Sequence, residues 1–217
     1  MTREIYLIDG SAFIYRAFHA VAPLTNAEGF QTNAVFGFVS MLNKLLKEKL
    51  PTHLAVAFDS RGKVFRHEMY PEYKANRPPM PAELAAQLPY IKQVVEALGL
   101  VSFEENGIEA DDIIGAAAQA LSREGNKVII VSGDKDLLQL VDDRITMWDP
   151  MNDRVMDSGG VEKKYQVGPP QLLDCFALIG DNSDNVPGVP GIGPKTAAKL
   201  IVEYGSLEGL YEQVEGL

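Results

Sequence analysis

The sequence contains a single cysteine, Cys175, among its 217 residues. One cysteine cannot form an internal disulfide or a cysteine-rich zinc site, and we expect Cys175 to pack within a helix. No uncharged apolar run approaches the roughly 18 residues that a membrane-spanning helix requires, which excludes an integral membrane protein. Residues 1–4 lack the pattern of a cleaved signal, so a cytoplasmic location is expected.

Positive charge is also scarce: 20 Lys and Arg stand against 30 Asp and Glu, a formal net charge of -10. Nucleic-acid binding favours Lys and Arg because they neutralise phosphates, so this average argues against such a partner. One segment departs from the average, since five basic residues between positions 61 and 77 face only two acidic ones. The five are Arg61, Lys63, Arg66, Lys74 and Arg77. Divalent cations would neutralise part of the acidic excess if many acids gather in one site.

Apolar runs and amphipathic stretches alternate along the first 150 residues, which predicts strands alternating with helices. Predicted strands cover residues 3–8, 53–58, 101–104 and 127–132, and predicted helices cover 11–20, 32–49, 82–98 and 111–124. Continuously apolar strands in this order predict an α/β fold with a mostly parallel central sheet and helices on both faces. We expect an α/β core at residues 1–160, including an exposed, mobile arch at about 60–81, and a helical region at 161–217. After residue 149, we expect a polar hairpin at 150–160 and helices at 171–179 and 195–203.

Acidic residues follow three of the predicted strands directly: Asp9, Asp59, and the pair Asp134 and Asp136. Because ligands of parallel sheets bind beyond the carboxyl ends of the strands, we expect these acids to meet at one edge. Two further acidic groups are Glu109, Asp111 and Asp112 at a helix start, and Asp181 with Asp184 at a turn. A single acid after a strand is most often a helix N-cap, but capping alone does not explain the joint pattern.

Carboxylates held close together repel one another unless hard cations such as Mg²⁺ or Mn²⁺ bind between them. Two such ions about 4 Å apart suit phosphodiester hydrolysis, because one activates water while the other stabilises the leaving oxygen. A calcium-binding EF-hand loop beginning at Asp181 is excluded. Val186 stands where that loop needs glycine, and no acid occupies its twelfth position.

Six motifs occur along the chain in a characteristic order. They are residues 7–11 (LIDGS), 15–20 (YRAFHA), 71–77 (PEYKANR), 109–112 (EADD), 132–136 (SGDKD) and 180–188 (GDNSDNVPG). Together they resemble the 5′ nuclease (5′-3′ exonuclease) domain of bacterial DNA polymerase I, within the flap endonuclease family. The resemblance extends over about residues 3–210.

The resemblance implies two metal sites. It assigns the first ion to Asp9, Asp59, Glu109 and Asp111, and the second to Asp134, Asp136 and Asp181, with Asp112 and Asp184 nearby or bound through water. Asp111 and Asp134 are thereby expected to be catalytic, together with Lys74 and Arg77, which would meet the scissile phosphate.

The resemblance also implies that the arch binds the 5′ single strand, with Tyr73 stacking on a base and Arg66 contacting DNA. The alternatives are a Tyr73 that simply packs and solvated charges at Lys74 and Arg77. Arg16 is expected to contact DNA or a phosphate, or else to form a structural ion pair.

Residues 191–196 (GIGPKT) resemble a helix-hairpin-helix, in which glycines let backbone N–H groups approach a duplex phosphate. Gly191 and Gly193 would provide this approach beside Lys195 and Thr196, and we also expect a monovalent cation there.

The expected activity is structure-specific hydrolysis of DNA at 5′ ends, flaps and junctions, leaving 5′-phosphate and 3′-hydroxyl products. We expect a monomer that either stands alone or forms part of a longer DNA polymerase I chain, with truncation at the C-terminus because the family's domain continues beyond the equivalent of Leu217. One alternative is a DNA-binding module whose catalysis is lost through truncation. A metal-dependent phosphatase is another, although it would not explain the arch or the hairpin.

Overall fold

The fold is described from a computed structural model, which defines residues 2–213. Residues 214–217, where the expected truncation falls, lie outside the described residues. None of the helices between residues 2 and 213 combines the length and apolar character that crossing a membrane requires.

A six-stranded sheet forms the centre of the described chain, in the order β3-β2-β1-β4-β5-β6. Its strands are β1 (Glu4–Asp9), β2 (His53–Ala57), β3 (Val101–Phe103), β4 (Lys127–Val131), β5 (Ile145–Asp149) and β6 (Arg154–Met156). Every neighbouring pair is parallel except β5 and β6. The predicted mostly parallel sheet is therefore confirmed.

Nine α-helices lie within residues 2–213. They are α1 (Gly10–Ala20), α2 (Asn33–Lys49), α3 (Arg66–Met69), α4 (Ala82–Ala97), α5 (Ala110–Arg123), α6 (Ser158–Tyr165), α7 (Leu172–Ile179), α8 (Pro194–Tyr204) and α9 (Leu207–Gln213). Short 3₁₀ helices cover Lys135–Leu140 and Pro169–Gln171, and a two-stranded ribbon pairs β7 (Gly180–Asp181) with β8 (Val186–Pro187).

Alternate residues of β1 enter two different hydrophobic clusters, as strand geometry requires. Tyr6 and Ile8 pack with α1, α2 and α4, whereas Ile5 and Leu7 pack with α5, α7 and α8. Helices therefore cover both faces of the sheet. Cys175 is buried in α7, which confirms the packing predicted for it.

The helices after residue 160 share one cluster with α5 and the sheet, and a boundary at that residue stays a prediction. Elements that the apolar pattern did not indicate include β5, α6, α9 and the 3₁₀ helices Lys135–Leu140 and Pro169–Gln171. The arch region, expected to be without periodicity, contains only the single helical turn α3.

Candidate active site

Three neighbouring strands, β2, β1 and β4, bring their carboxyl ends to one cavity of about 260 Å³. Asp9 ends β1, Asp59 follows β2, and Asp134 follows β4. Asp111, from the first turn of α5, lines the same cavity. The lining also includes Glu109, Asp136, Asp181 and Asp184. Acids that are far apart in the sequence thus meet at the predicted edge.

Asp9 is both a helix cap and a member of this cavity. Its Oδ1 accepts a hydrogen bond from the backbone N–H of Ala12 at 2.8 Å, which caps α1. The side chain is buried, and burial raises its pKa to about 6 against the opposing hydrogen bonds from Ala12 and Ser132. The capping interpretation is therefore correct for Asp9 without excluding a role in the cavity.

Two serines tie the strand ends together. The Ser132 hydroxyl donates to Asp9 Oδ2 at 2.9 Å and accepts from the backbone N–H of Asp134 at 3.0 Å. The Ser11 hydroxyl accepts from the backbone N–H of Asp59 at 2.8 Å. These bonds fix the spacing of β2, β1 and β4 where the acids emerge.

Asp59 also sets the position of α5. Its Oδ1 accepts from the backbone N–H of Ala110, the first residue of that helix, at 2.8 Å. Asp111 follows immediately and reaches the cavity. Burial, followed by the negative charges of Asp9, Asp134 and Asp59, raises the pKa of Asp111 to about 8.

The acids of the cavity divide into a group without cationic partners and a group with them. Burial does not separate the two groups, since Asp59 is exposed and Glu109 is buried. Within residues 2–213, no ion pair involves Asp9, Asp59, Asp111 or Asp134. We call these four side chains the inner carboxylates. The ion pairs of the other acids are Glu109 with Lys74 and Arg66, Asp136 and Asp181 with Lys135, and Asp184 with Arg77 and Lys74. These four carboxylates therefore have no ion-paired partner among residues 2–213.

Hard divalent cations fit this donor set, because the inner carboxylates are oxygen donors whose mutual repulsion a cation would relieve. In the described part of the chain, however, no three acidic, histidine or cysteine side chains converge closely enough to enclose an ion as they stand. Mg²⁺ is commonly held by one or two carboxylates and several waters, and this donor set can supply such ligands.

The loop that carries Asp181 and Asp184 depends on two glycines. Gly180 has a φ of +77°, and a Cβ there would lie 2.3 Å from the backbone nitrogen of Gly188. A Cβ at Gly188 would lie 2.1 Å from the carbonyl oxygen of Ile179. Only glycine allows this close approach, which holds β7 against β8 and directs the acids toward the cavity.

The arch lies against the cavity. Lys74 and Arg77 line it with the acids, and their contact with a scissile phosphate stays a prediction. Tyr73 does not fit its predicted role in stacking on a base, because its side chain is buried and its hydroxyl donates to Glu109 Oε2 at 2.8 Å. The packing alternative describes Tyr73 better.

Arg66 and Asp112 form an ion pair beside the cavity lining. Nη1 and Nη2 of Arg66 each lie 2.7 Å from a carboxylate oxygen of Asp112, and this hydrogen bonding lowers the pKa of Asp112. Asp112 is not part of the cavity lining. Its expected nearness to a metal and the DNA contact expected of Arg66 are therefore not supported by this arrangement.

Arg16 forms the structural ion pair that was its alternative interpretation. Its Nη1 lies 2.8 Å from Oδ1 of the buried Asp149, at the end of β5. The guanidinium also lies against Gly133, where a Cβ would be 2.1 Å from Nη2. Arg16 thus supports the turn that leads to Asp134.

The predicted helix-hairpin-helix segment ends in an exposed helix start. Gly193 is the N-cap of α8, and Gly191 has a φ of +83°. Lys195 and Thr196, in the first turn, are exposed. Backbone N–H groups at such a start are suited to a phosphate, and contact with DNA here stays a prediction.

The residues of the site that sequence reasoning missed include Ser11, Ser132 and Lys135. Both serines stand beside strand ends within the quoted motifs, and that position is the signal that could have indicated them. Lys135 lies between Asp134 and Asp136, and its Nζ bonds to Asp136 and Asp181. A lysine between two acids could have indicated an internal counter-ion.

Two family models match the chain along nearly all of its length. The 5′-3′ exonuclease N-terminal resolvase-like domain matches residues 4–166, and the 5′-3′ exonuclease C-terminal SAM fold matches residues 167–217.

Curated relatives include a 5′-3′ exonuclease of Aquifex aeolicus (strain VF5), 44% identical over 213 residues, covering 98% of this chain and 74% of the relative. DNA polymerase I of Rhizobium leguminosarum is 47% identical over 218 residues, covering 97% of this chain and 22% of the relative. The chain thus spans less than a quarter of that polymerase. A solved flap endonuclease of bacteriophage T5, in a pseudo-enzyme-product complex with DNA and metal ions, is also similar. Its TM-score is 0.80 at 26% identity, covering 98% of this chain and 79% of that chain.

Proposed function

The chain belongs to the 5′-3′ exonuclease family, and on that basis we propose that it is a divalent-metal-dependent nuclease acting on DNA at 5′ ends and flaps. The observation that carries the proposal is the group of inner carboxylates, delivered by three strand ends and one helix start to a single cavity. Their charge has no cationic partner within residues 2–213. The products would be a 5′-phosphate and a 3′-hydroxyl.

Asp9, Asp59, Asp111 and Asp134 would hold the metal ions. Further ligands would be Asp136 and Asp181, released from Lys135, and Glu109, released from Lys74 and Arg66. When bound, divalent cations such as Mg²⁺ or Mn²⁺ activate water and stabilise the leaving oxygen of a phosphodiester. Ser132 and Ser11 keep the strand ends in register, so that the carboxylates remain in place while the substrate enters.

Lys74 and Arg77 would bind the scissile phosphate. Both line the cavity, and in the absence of substrate both pair with acids of the site, Glu109 and Asp184. A phosphate between them would replace these carboxylates as the anionic partner and free the acids for metal ions. Cations in such a place stabilise the charge that develops on phosphoryl oxygens.

Duplex DNA would lie along the exposed start of α8, where backbone N–H groups near Gly191 and Gly193 and the side chains of Lys195 and Thr196 face solvent. Such contacts position the duplex without reading its sequence. A monomeric state, a cytoplasmic location and a monovalent cation at residues 191–196 stay predictions, as does membership of a longer DNA polymerase I chain.

The test uses 5′-labelled flap DNA with Mg²⁺ and with EDTA. Magnesium-dependent cutting near the junction supports the nuclease proposal. Binding without cutting favours a DNA-binding module instead, and release of phosphate from small esters without cutting favours a phosphatase. In Asp134→Ala and Asp181→Ala, we expect cutting to fall by several orders of magnitude while the Kd for DNA changes much less.

A further inference from the structure

Two asparagine side chains join the arch to residues 181–185, the loop that carries Asp181 and Asp184 and that we call the acidic loop. The two asparagines are more than 100 residues apart in sequence. Asn76 Nδ2 donates to the carbonyl oxygen of Asn182 at 2.6 Å. Asn185 Nδ2 donates in the opposite direction, to the carbonyl oxygen of Glu72 at 2.8 Å. We call this reciprocal pair the asparagine clasp. Neither side chain lines the cavity or belongs to the proposed metal and phosphate ligands.

Of the two cations that would bind the phosphate, Lys74 lies between the two arch positions that the clasp bonds, Glu72 and Asn76, and Arg77 follows Asn76 directly. Between its bonds, the backbone N–H of Lys74 donates to the carbonyl oxygen of Asp184 at 2.9 Å. Arg77 Nε donates to the carbonyl oxygen of Ser183 at 3.0 Å. Residues 72–77 and 181–185 therefore form one hydrogen-bonded unit, in which the positions of the cations depend on the acidic loop.

The backbone at this junction is unusual on both sides. Lys74 has a φ of +56° and Asn185 a φ of +58°. Asparagine tolerates this left-handed region, but lysine seldom adopts it. Surrounding contacts must hold a residue in such a conformation, and strained backbone of this kind is concentrated at functional sites. The clasp supplies those contacts on either side of Lys74.

We propose that Asn76 and Asn185 are positioning residues, which set Lys74 and Arg77 at a fixed place relative to Asp181 and Asp184. The cations of the arch and the carboxylates of the loop then act on the same phosphate. This inference rests on the proposed nuclease function, because that function gives Lys74 and Arg77 their substrate.

The first test separates the side-chain amides from the backbone. Asn76→Ala removes one donor, and Asn185→Gly removes the other while keeping access to positive φ. We expect single-turnover cutting of 5′-flap DNA in Mg²⁺ to slow by about 10- to 100-fold, the size that misplacement by about 1 Å produces. The Kd for DNA should change less than about threefold, because no phosphate ligand is removed.

Asn182→Ala is the matched control. Asn182 lies in the same loop and is exposed, and its side chain makes no hydrogen bond to residues 72–77 within the described chain. This variant should cut at the wild-type rate. Equal slowing in Asn76→Ala, Asn185→Gly and Asn182→Ala would mean that any change at this junction impairs cutting. That result would overturn the role of the clasp.

A second test asks whether Asn76 acts through Lys74 and Arg77. In a background that carries both Lys74→Ala and Arg77→Ala, Asn76→Ala should cause little further slowing, because the groups that it positions are absent. If the role of Asn76 is merely structural, its slowing of the cutting rate should multiply with the slowing caused by loss of the cations. Multiplication would overturn the positioning role.

Hydrogen exchange without DNA or metal gives a readout that does not depend on activity. In both clasp variants, amide exchange should accelerate together in residues 72–77 and 181–185, and stay unchanged in β1 and β4. Unaltered exchange would overturn the clasp even if the wild type cuts DNA. A wild type that never cuts, despite accelerated exchange in the variants, would instead identify the nuclease proposal as the failed premise and remove the positioning role with it.

Discussion

Ser132, the first residue after β4, donates its hydroxyl hydrogen to the carboxylate of Asp9 across 2.9 Å. Both side chains are buried. The hydrogen bond favours the ionised form of Asp9 and opposes the rise in pKa that burial causes. Because the same hydroxyl accepts the N–H of Asp134, one serine holds two inner carboxylates in place.

Ser132→Ala is expected to weaken divalent-metal binding and destabilise the fold. A buried carboxylate would lose a donor, which costs about 1–3 kcal/mol. The pKa of Asp9 would also rise further, so protons would compete better with metal ions. Urea unfolding and Mn²⁺ affinity at pH 7 measure the two effects.

Ser122→Ala is the control for this change, since Ser122 is also buried but lies near the end of α5, outside the cavity lining. It should leave Mn²⁺ affinity unaltered. If Ser132→Ala binds Mn²⁺ as tightly as Ser122→Ala, the role assigned to the Ser132 hydroxyl is wrong.

Asp111→Asn is expected to stabilise the metal-free protein at alkaline pH. The folded state raises the pKa of Asp111 from 3.8 to about 8, so between these values the folded protein holds a proton that the unfolded chain has released. Unfolding then releases that proton, and the free energy of unfolding falls as pH rises, by up to about 1.4 kcal/mol per pH unit. The asparagine variant should lack this contribution.

The comparison is sharpest between pH 6 and 8, above the pKa of Asp9 at about 6. Urea titrations in EDTA should give a flatter pH dependence for Asp111→Asn than for the wild type. Asp143→Asn, at an exposed acid, serves as the control and should keep the wild-type slope. Parallel slopes for the wild type and Asp111→Asn would contradict the burial of that charge.

Gly133→Ala is expected to destabilise the fold by about 1–3 kcal/mol, because a Cβ would overlap the guanidinium of Arg16 and force a neighbour to move. The ion pair with Asp149 restrains Arg16. Displacing Arg16 should break that pair and shift the turn before Asp134. Denaturation midpoints and cutting rates report these changes.

A double variant tests whether this overlap with Arg16 causes the loss of stability. If it does, Gly133→Ala should lower the free energy of unfolding much less in an Arg16→Ala background than in the wild type. Gly115→Ala, in α5, is the control, since a Cβ there would meet Leu140 at an ordinary 3.7 Å and should not destabilise the helix. Full additivity of Arg16→Ala and Gly133→Ala would rule out this explanation.

The strand ends were the part of the site most accessible from sequence. Continuous apolar runs before Asp9 and Asp59 indicated buried parallel strands, and the geometry of such a sheet brings their ends together. The strand β5 was not predicted, because the short run ITMWD follows polar residues 142–144 and does not belong to the alternation of strands and helices.

Side-chain pairing could not be predicted in the same way. The arch has no periodicity that would indicate which of its faces is buried, and the direction in which Tyr73 turns depends on the distant carboxylates of Glu109 and Asp184. Similarly, the spacing of residues 109–112 leaves open which acid faces the cavity. The ion pair with Arg66 decides that Asp112 faces away.

The central claim is that the inner carboxylates bind divalent cations as one group. Titration of the metal-free protein with Mn²⁺, followed by electron paramagnetic resonance, tests it most directly in the wild type and in Asp9→Asn, Asp59→Asn, Asp111→Asn and Asp134→Asn. We predict saturable binding by the wild type and at least tenfold weaker binding in each variant. Absence of binding by the wild type, or equal affinity in all five proteins, would contradict the claim.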